Sequence, residues 1–465
     1  MTTLAAQLDL LDAATAQELR GVVSDVRGLV VQAEGLPVPV GTSVRFCPKR
    51  GGAPRGVPGQ VVGCADGLCQ IMPLGSTAGL ARGDAVTAEH ADATVRVGAS
   101  LLGRVLNGLG EPIDGKGPLG DTHPHPLEAP PIAALDRKPI ERPLATGVRV
   151  IDALSPLGRG QRLGVFASPG VGKSTLLAQC AKQTAADVSV IALIGERGRE
   201  VRDFLERTLG PGGLARSVVV VATSDEPALL RLRAARLATA VAESFRAAHR
   251  HVLLVLDSIT RFCQAQRQVG LSIGEPPTTR GYPPSVFAAL PELMERAGQT
   301  ETGSITALYA VLVEGDDMDE PIADACRGIL DGHLLLSRKL AERGHYPAVD
   351  APGSISRVAD DVTDKTHRDA RRHVLKLLAD HAEVEDLVNI GAYAAGSNPD
   401  YDLAIAAKPV LDQFLVQTET PTGPAANFAT TRAQLLALCE GVRNTQSQLQ
   451  AQLAKRPRPG PPASR

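Results

Sequence analysis

The chain has 465 residues, a formal net charge of −2, only 3% aromatic residues and no tryptophan. This length accommodates about three domains and a sizeable core, and the near-neutral charge excludes a global positive field that attracts nucleic acid or anionic lipid. The shortage of aromatic side chains argues against a platform on which bases stack.

The seven cysteines are scattered through the chain and form no C-x-x-C pair. An odd, dispersed set predicts a reducing, cytoplasmic environment without a disulfide framework or a zinc site. No segment approaches the roughly 18 consecutive apolar residues of a membrane-spanning helix. The N-terminus also lacks the basic region of a signal peptide.

Residues 1–20 predict an amphipathic arm, because Leu4 and Leu8 share one helical face. The arm either docks on its own domain or contacts a partner or a membrane surface. From residue 21 to 95, short Val-rich segments alternate with Gly, Pro and Asp turns, which predicts a small antiparallel β-barrel. Phe46 is the only aromatic residue in that range, so RNA bases would have little to stack on.

The middle of the chain alternates apolar segments with helix-forming stretches. The predicted strands are Leu163–Ala167, Val188–Ile194, Val218–Ala222, Val252–Leu256, Ile305–Val313 and His333–Leu336. Continuous apolar segments are typical of a parallel sheet that is covered by helices on both faces. Such sheets bind ligands beyond the carboxyl ends of their strands.

The first of these strands leads into a candidate phosphate-binding loop. The residues that follow it are Ser168, Pro169, Gly170, Val171, Gly172, Lys173, Ser174 and Thr175. Small residues let backbone N–H groups approach a triphosphate, Lys173 reaches its outer phosphates, and the Ser174 hydroxyl is suited to magnesium. The strict G-x-x-x-x-G-K-[ST] pattern has a glycine where this chain has Ala167. The loop predicts nucleotide binding.

Acidic residues follow two of the other strands. Asp257 comes directly after Val252–Leu256, where a carboxylate can hold Mg²⁺, usually through water. Its alternative role is that of a helix N-cap. Glu196 follows the second strand, where a carboxylate can orient and polarise an attacking water. Taken alone, a glutamate between a glycine and two arginines is most often part of a surface ion pair.

Longer segments resemble the hexameric ATPases related to rotary ATP synthases. They are Gly195–Glu200, Leu256–Phe262, Gly344–Asp350 and Ser354–Val358. Within that superfamily the chain is most similar to the ATPase of type III protein secretion, in injectisomes and flagella. The segments that carry this similarity are Gly274–Phe287, Asp316–Asp324 and Ile329–His333. The similarity extends from about residue 22 to 418, and Ala167 matches the small residue common at its position in that family.

The resemblance implies an α/β chain with a RecA-like P-loop ATPase domain and a mostly parallel sheet over residues 96–365. A helical C-terminal domain is expected over 366–447 and a disordered, Pro-rich tail over 448–465. The synthase catalytic subunit has an acidic, rotor-engaging segment in its C-terminal part. This chain instead has Gly391–Asp400 and Phe414–Gln417, which are similar to the secretion subfamily.

The resemblance also implies a mechanism, in which Mg·ATP is hydrolysed at sites shared between the subunits of a homohexamer. Lys173, Glu196 and Arg357 are the implied catalytic residues, with Arg357 acting as an arginine finger across the subunit interface. Tyr346 is implied to stack on adenine. From the residues alone, the less favoured alternative for Tyr346 is a core tyrosine, whereas Arg357 is better explained as part of a buried ion pair.

The implied function is to power type III secretion by releasing substrates from chaperones and unfolding them. The implied partners are a central stalk coiled coil facing the loop Asp316–Pro321, a stator or peripheral stalk protein, chaperones, export substrates and export-gate membrane proteins. The implied location is the cytoplasmic face of the inner membrane, in an injectisome in preference to a flagellum. The alternatives are a rotary ATP synthase subunit and, less favoured because of the aromatic-poor barrel and near-neutral charge, a hexameric RNA translocase.

Overall fold

The computed structural model describes residues 19–49, 56–90, 93–313, 315, 317–417 and 427–454. The predicted N-terminal arm lies outside the described residues except for its last two positions, and so do residues 455–465 of the predicted tail. Among the described residues, no helix combines the length and apolar character needed to cross a membrane.

The N-terminal domain is a closed barrel, as predicted. Its strands are β1 (Arg20–Arg27), β2 (Val30–Glu34), β3 (Ser43–Cys47), β4 (Val57–Ala65), β5 (Leu68–Pro73) and β6 (Ala85–His90). They pair in the order β1-β2-β5-β4-β3-β6, and all the pairs are antiparallel. Alternate residues point inward, so Val44 and Phe46 of β3 are fully buried in the barrel core.

After the barrel, the described residues form thirteen further strands. They are β7 (Thr94–Val97), β8 (Val105–Asn107), β9 (His123–Pro126), β10 (Pro143–Leu144), β11 (Leu157–Gly158), β12 (Arg162–Ala167), β13 (Val188–Glu196), β14 (Ser217–Thr223), β15 (His251–Asp257), β16 (Gly298–Gln299), β17 (Ser304–Leu312), β18 (Gly332–Leu336) and β19 (Val349–Ser356). The central sheet has the order β19-β18-β12-β17-β15-β13-β14-β8, with β16 paired to β17. Its strands are parallel from β18 to β8, whereas β19 runs antiparallel to β18.

Helices cover both faces of this sheet. They are α1 (Arg149–Leu154), α2 (Lys173–Gln183), α3 (Gly198–Asp203), α4 (Gly210–Ala215), α5 (Ala228–Ala247), α6 (Ile259–Ser272), α7 (Pro284–Met294), α8 (Pro321–Ile329) and α9 (Arg338–Glu342), with a π-helical turn at Phe204–Leu209. The helix α5 packs on one face, where 14 of its residues are buried. The helix α2 packs on the opposite face with α1. Cover on both faces explains why the strands are continuously apolar.

In the C-terminal part, the described residues form three long helices. They are α10 (Lys365–Asn389), α11 (Pro399–Leu415) and α12 (Phe428–Ala454). Their apolar faces join the same core as α1 and α2, through residues such as Val374, Leu411 and Leu435. The helix α12 continues to Ala454, so the prediction of a disordered tail from residue 448 is wrong for the part that the structure describes. Disorder was inferred from the Pro-rich composition, but the prolines begin only at Pro457.

Candidate nucleotide site

A loop of residues 168–172 connects the end of β12 to the start of α2. Gly170 and Gly172 have φ angles of 83° and 89°, in the left-handed region that favours glycine. Gly172 is the N-cap of α2, which begins at Lys173. The first N–H groups of a helix have no intrahelical partner, so the loop and helix end present backbone donors to an anion.

Three charged side chains meet beyond the carboxyl ends of the strands. Lys173 opens α2 after β12, Glu196 is the last residue of β13, and Asp257 is the last residue of β15. The Lys173 ammonium contacts the Asp257 carboxylate, and Lys173 Nζ lies 3.9 Å from Glu196 Oε1. The side chain of Asp257 is 3% exposed and that of Glu196 is 21% exposed. The two carboxylates therefore share one largely dry site with a single lysine.

The environment raises the pKa of Glu196 to about 7. Burial of the carboxyl is the largest cause, and repulsion from Asp257 adds to it. The Lys173 ammonium acts in the opposite direction, while a hydrogen bond with Glu200 raises the pKa further. A carboxyl group with a pKa near neutrality can take up and release a proton at physiological pH, which is a property of catalytic bases.

The other predicted loop residues differ in exposure. Ser168 and Val171 are buried, and Ser168 Oγ donates a hydrogen bond to the Val313 carbonyl oxygen at 3.2 Å. Pro169 and Thr175 are exposed. The buried members hold the loop against the sheet, and the exposed members border the space that a phosphate group would enter.

Two side chains beside the phosphate loop have oxygen atoms that are suited to coordinate a magnesium ion. Ser174 is exposed in the first turn of α2, and Asp257 faces the same site through its contact with Lys173. Hydroxyl and carboxylate oxygens are ligands that Mg²⁺ accepts. Among the described residues, no cluster of three or more His, Cys, Asp or Glu side chains could hold a metal ion.

A cavity of about 330 Å³ adjoins the phosphate loop and contains the predicted base-stacking residue. Tyr346 is 39% exposed, and a Cβ built on Gly172 would lie 3.4 Å from its ring. Gln417 closes another side of the cavity, and its N–H donates to the Tyr346 carbonyl oxygen at 2.8 Å. The Gln417 side chain accepts from the Arg149 N–H at 2.9 Å and donates to the Gly147 carbonyl oxygen at 2.9 Å. The exposed ring beside the loop is suited to stacking on a base.

Arg357 lies at the other end of the sheet from the phosphate loop. It directly follows β19, whose last residue, Ser356, pairs with Gly332 at the start of β18. The far end of β18 pairs with the end of β12, where the loop begins. The length of β18, about 13 Å at roughly 3.3 Å per residue, therefore separates Arg357 from that edge. The Arg357 side chain is exposed, and its Nη2 donates to the Arg327 carbonyl oxygen at 3.3 Å. The buried ion pair considered from the sequence is absent from the contacts described for Arg357.

Two glutamines of the cavity were not predicted from the sequence. Gln179 lies four residues after Thr175 on α2, and this spacing puts both on one helical face. The four-residue spacing from Thr175 could therefore have indicated Gln179 as a cavity residue from the sequence. Gln417 meets Arg149, which lies 268 residues away in the chain, so no local pattern could have revealed the contact.

Two family models match the chain. The nucleotide-binding domain of the ATP synthase alpha/beta family matches residues 147–356, which include the phosphate loop and both carboxylates. The C-terminal domain of the T3SS EscN ATPase matches residues 363–437. The second match covers the helical region in which secretion ATPases were expected to differ from the synthase.

Relatives are similar over nearly the whole chain. The flagellum-specific ATP synthase of Pseudomonas aeruginosa is 49% identical over 417 residues, 89% of this chain and 92% of that protein. The type 3 secretion system ATPase of Xanthomonas euvesicatoria is 46% identical, over 90% of this chain and 94% of that protein. The chain belongs to the type III secretion ATPase family. This secretion ATPase is therefore a nucleotide-binding enzyme of the P-loop class.

Solved structures agree with that assignment. The assembled ATPase EscN from enteropathogenic E. coli matches with a TM-score of 0.82 and 38% identity, over 90% of this chain and 99% of that chain. EscN in complex with its central stalk EscO matches with a TM-score of 0.81 and 38% identity. The secretion ATPase thus has the predicted fold class, a barrel followed by a P-loop domain and C-terminal helices.

Proposed function

We propose that this secretion ATPase works as a homohexameric ring that hydrolyses Mg·ATP to release export substrates from chaperones and to unfold them. The observation that carries the proposal is the convergence of Lys173, Glu196 and Asp257 beside the phosphate loop. The match of its C-terminal helices to the EscN-type domain supports protein export rather than ATP synthesis. Export chaperones, export substrates, a stator or peripheral stalk protein and export-gate membrane proteins are the proposed partners, and nucleic acid is not.

The reaction is an in-line attack of water on the γ-phosphate. Backbone N–H groups of Gly170 and Gly172 and the Lys173 ammonium bind the phosphates. Ser174 and Asp257 would hold Mg²⁺, which when bound neutralises charge on the phosphate oxygens. The Glu196 carboxylate accepts a hydrogen bond from the attacking water and orients it toward phosphorus.

The kcat/KM of hydrolysis is expected to rise with pH through about 7, because the ionised Glu196 carboxylate is the base that orients the attacking water and its pKa in the nucleotide-free site is raised to that value. Glu200 contributes to the raised pKa, so Glu200→Gln should move the acidic limb of the kcat/KM profile to lower pH. The measurement is kcat/KM against pH for both proteins.

Glu206→Gln is the matched control for that shift, since Glu206 is an exposed acid that pairs with Arg202 at 2.8 Å. Its profile should coincide with the wild type. An acidic limb that stays in place in Glu200→Gln would assign the limb to a group other than Glu196.

The position of Arg357 supports the proposal of a ring of identical subunits. The same chain contains both Glu196 and Arg357, which lie at opposite ends of the sheet. A neighbouring copy is therefore the economical source of an arginine finger, whose positive charge stabilises the transferring phosphoryl group. The related EscN has been solved as an assembled ATPase, which supports the same arrangement here.

The central stalk is proposed to contact the acidic loop, residues 316–321. Asp317 and Asp319 have side chains that are 42% and 91% exposed, and Asp317 Oδ2 lies 3.2 Å from Arg280 Nη1. Asp316 lies outside the described residues. Exposed acids that face a basic coiled coil speed its association and make the contact salt-dependent. The solved complex of EscN with its stalk EscO supports a stalk partner.

The test of the export function is stimulation of the ATPase by a basic coiled-coil stalk protein. Charge reversal at Asp316 and Asp317 should remove most of the stimulation at low salt and leave the unstimulated rate intact. Glu206→Lys, which reverses an exposed, arginine-paired acid outside the loop, is the control. Stimulation that survives the double reversal unchanged would contradict the contact, and a stalk that never stimulates the wild type would contradict the export function.

The proposed function also includes the cellular location of the enzyme and the secretion apparatus to which it belongs. The enzyme is assigned to the cytoplasmic face of the inner membrane, where it meets the export gate. Relatives of both flagella and injectisomes are similar to this chain at 46–49% identity. The injectisome stays the predicted apparatus, and neighbouring genes for needle or for rod and hook components decide between the two.

A further inference from the structure

One side-chain amide nitrogen in the lining of the Tyr346 cavity has no hydrogen-bond partner among the described residues. Gln179 is only 8% exposed, it lines the cavity, and its amide nitrogen has no hydrogen-bond partner among the described residues. Gly172 and Thr175 line the same cavity, so Gln179 belongs to one continuous face of α2 that starts at the phosphate loop. A buried amide donor without a partner costs free energy, which a ligand in the cavity could recover.

The other glutamines near the cavity differ from Gln179. The Gln417 side-chain amide already makes two hydrogen bonds, because its oxygen accepts from the Arg149 N–H and its nitrogen donates to the Gly147 carbonyl oxygen. Gln183, one turn beyond Gln179, is 9% exposed and also has unpartnered amide atoms, but it does not line the cavity. Gln179 is thus the glutamine that lines the cavity and has an amide nitrogen without a hydrogen-bond partner among the described residues.

We propose that the Gln179 carboxamide forms hydrogen bonds with the edge of the nucleotide base that stacks on Tyr346 and thereby recognises that base. This inference rests on the proposed function and extends it to the identity of the base. Stacking alone is tolerant of base identity, because every base has a π-face. A glutamine amide can accept a hydrogen bond from the exocyclic amine of adenine and donate one to a neighbouring ring nitrogen. Guanine has an oxygen in place of that amine, so the amide oriented for adenine disfavours it.

Gln179→Met tests the contact, since methionine has nearly the same length and no amide. We expect the Kd of Mg·ATP to rise about 5- to 20-fold, as befits one or two lost hydrogen bonds. The kcat at saturating ATP and the Kd of inorganic tripolyphosphate should stay unchanged, because neither depends on the base. The measurement is competition against a fluorescent ATP analogue, together with kcat and KM.

Purine riboside triphosphate, which lacks the exocyclic amine, provides a second measurement that needs no variant. The wild type should bind it several-fold more weakly than ATP, and Gln179→Met should bind the two alike. Gln183→Met is the matched control, because Gln183 has the same side chain and similar burial on the same helix but lies outside the cavity. It should bind ATP as the wild type does.

Three results would overturn the inference while leaving the proposed function intact. They are an unchanged Kd of ATP in Gln179→Met, an equal loss of ATP and tripolyphosphate affinity, and equal affinity of the wild type for ATP and purine riboside triphosphate. A wild-type protein that neither binds nor hydrolyses ATP would instead overturn the proposed function itself.

Discussion

Glu196→Gln and Arg357→Ala are each expected to be nearly inactive alone, and a mixture of the two is expected to regain a minority of wild-type activity. The loss of an arginine finger typically lowers the rate by about 10³- to 10⁵-fold, on the order of 4–7 kcal/mol of transition-state stabilisation. Glu196 lies at the phosphate site, whereas Arg357 lies at the opposite end of the sheet. Each active site would therefore combine Glu196 of one subunit with Arg357 of its neighbour.

Mixed rings restore some of these sites. Where an Arg357→Ala subunit supplies Glu196 and its Glu196→Gln neighbour supplies Arg357, the interface between them is intact. With equal amounts and random exchange, about a quarter of the interfaces in a cyclic ring have this arrangement. The measurement is steady-state ATPase activity across mixing ratios, under conditions in which subunits exchange.

Two further observations accompany this experiment. Specific activity of the wild type should rise with protein concentration, because a site shared between subunits exists only in the assembled ring. Arg372→Ala serves as the control, since Arg372 is an exposed arginine on α10 that pairs with Asp360. An Arg357 that acted only within its own subunit would give no recovery at any mixing ratio, and the assignment in trans would be withdrawn.

Lys173→Ala is expected to weaken Mg·ATP binding by about 100-fold or more, whereas Glu196→Gln is expected to bind ATP normally and to lose turnover. Lys173 binds phosphates that are present before the reaction begins. Glu196 acts on the attacking water, so its contribution appears mainly in the transition state. Equilibrium binding of a fluorescent ATP analogue and single-turnover hydrolysis separate the two effects.

Lys182→Ala is the control for the lysine, because Lys182 lies on the same helix α2 and donates to the Thr208 carbonyl oxygen at 3.1 Å, away from the site. Thermal unfolding of each variant is needed as well. Lys173→Ala leaves the buried Asp257 carboxylate without its ammonium partner, and this costs stability. A Glu196→Gln protein that turns over at the wild-type rate would remove Glu196 from the mechanism.

Much of the site was predictable because it depends on local pattern and on one rule of sheet geometry. The loop that ends at Lys173 is contiguous in the chain, and its small residues and glycines match the left-handed angles that it adopts. Glu196 and Asp257 each follow an apolar segment. Parallel strands bring their carboxyl ends to one edge, so these residues meet near Lys173 even though they are far apart in sequence.

Other features depend on contacts between distant parts of the chain. The raised pKa of Glu196 arises from burial and from Asp257, which are properties of the assembled site. Gln417 reaches the cavity only because the C-terminal helices pack beside α1.

The sequence by itself determined the fold class, the phosphate loop and the two carboxylates, since hydrophobic period and contiguous motifs are encoded locally. The tertiary structure alone decided that Arg357 lies away from its own phosphate loop and that the buried Gln179 amide nitrogen has no hydrogen-bond partner among the described residues. Strand direction at a sheet edge and the polar partners of a buried side chain are set by packing between segments that are distant in sequence. No local pattern of residues records either of them.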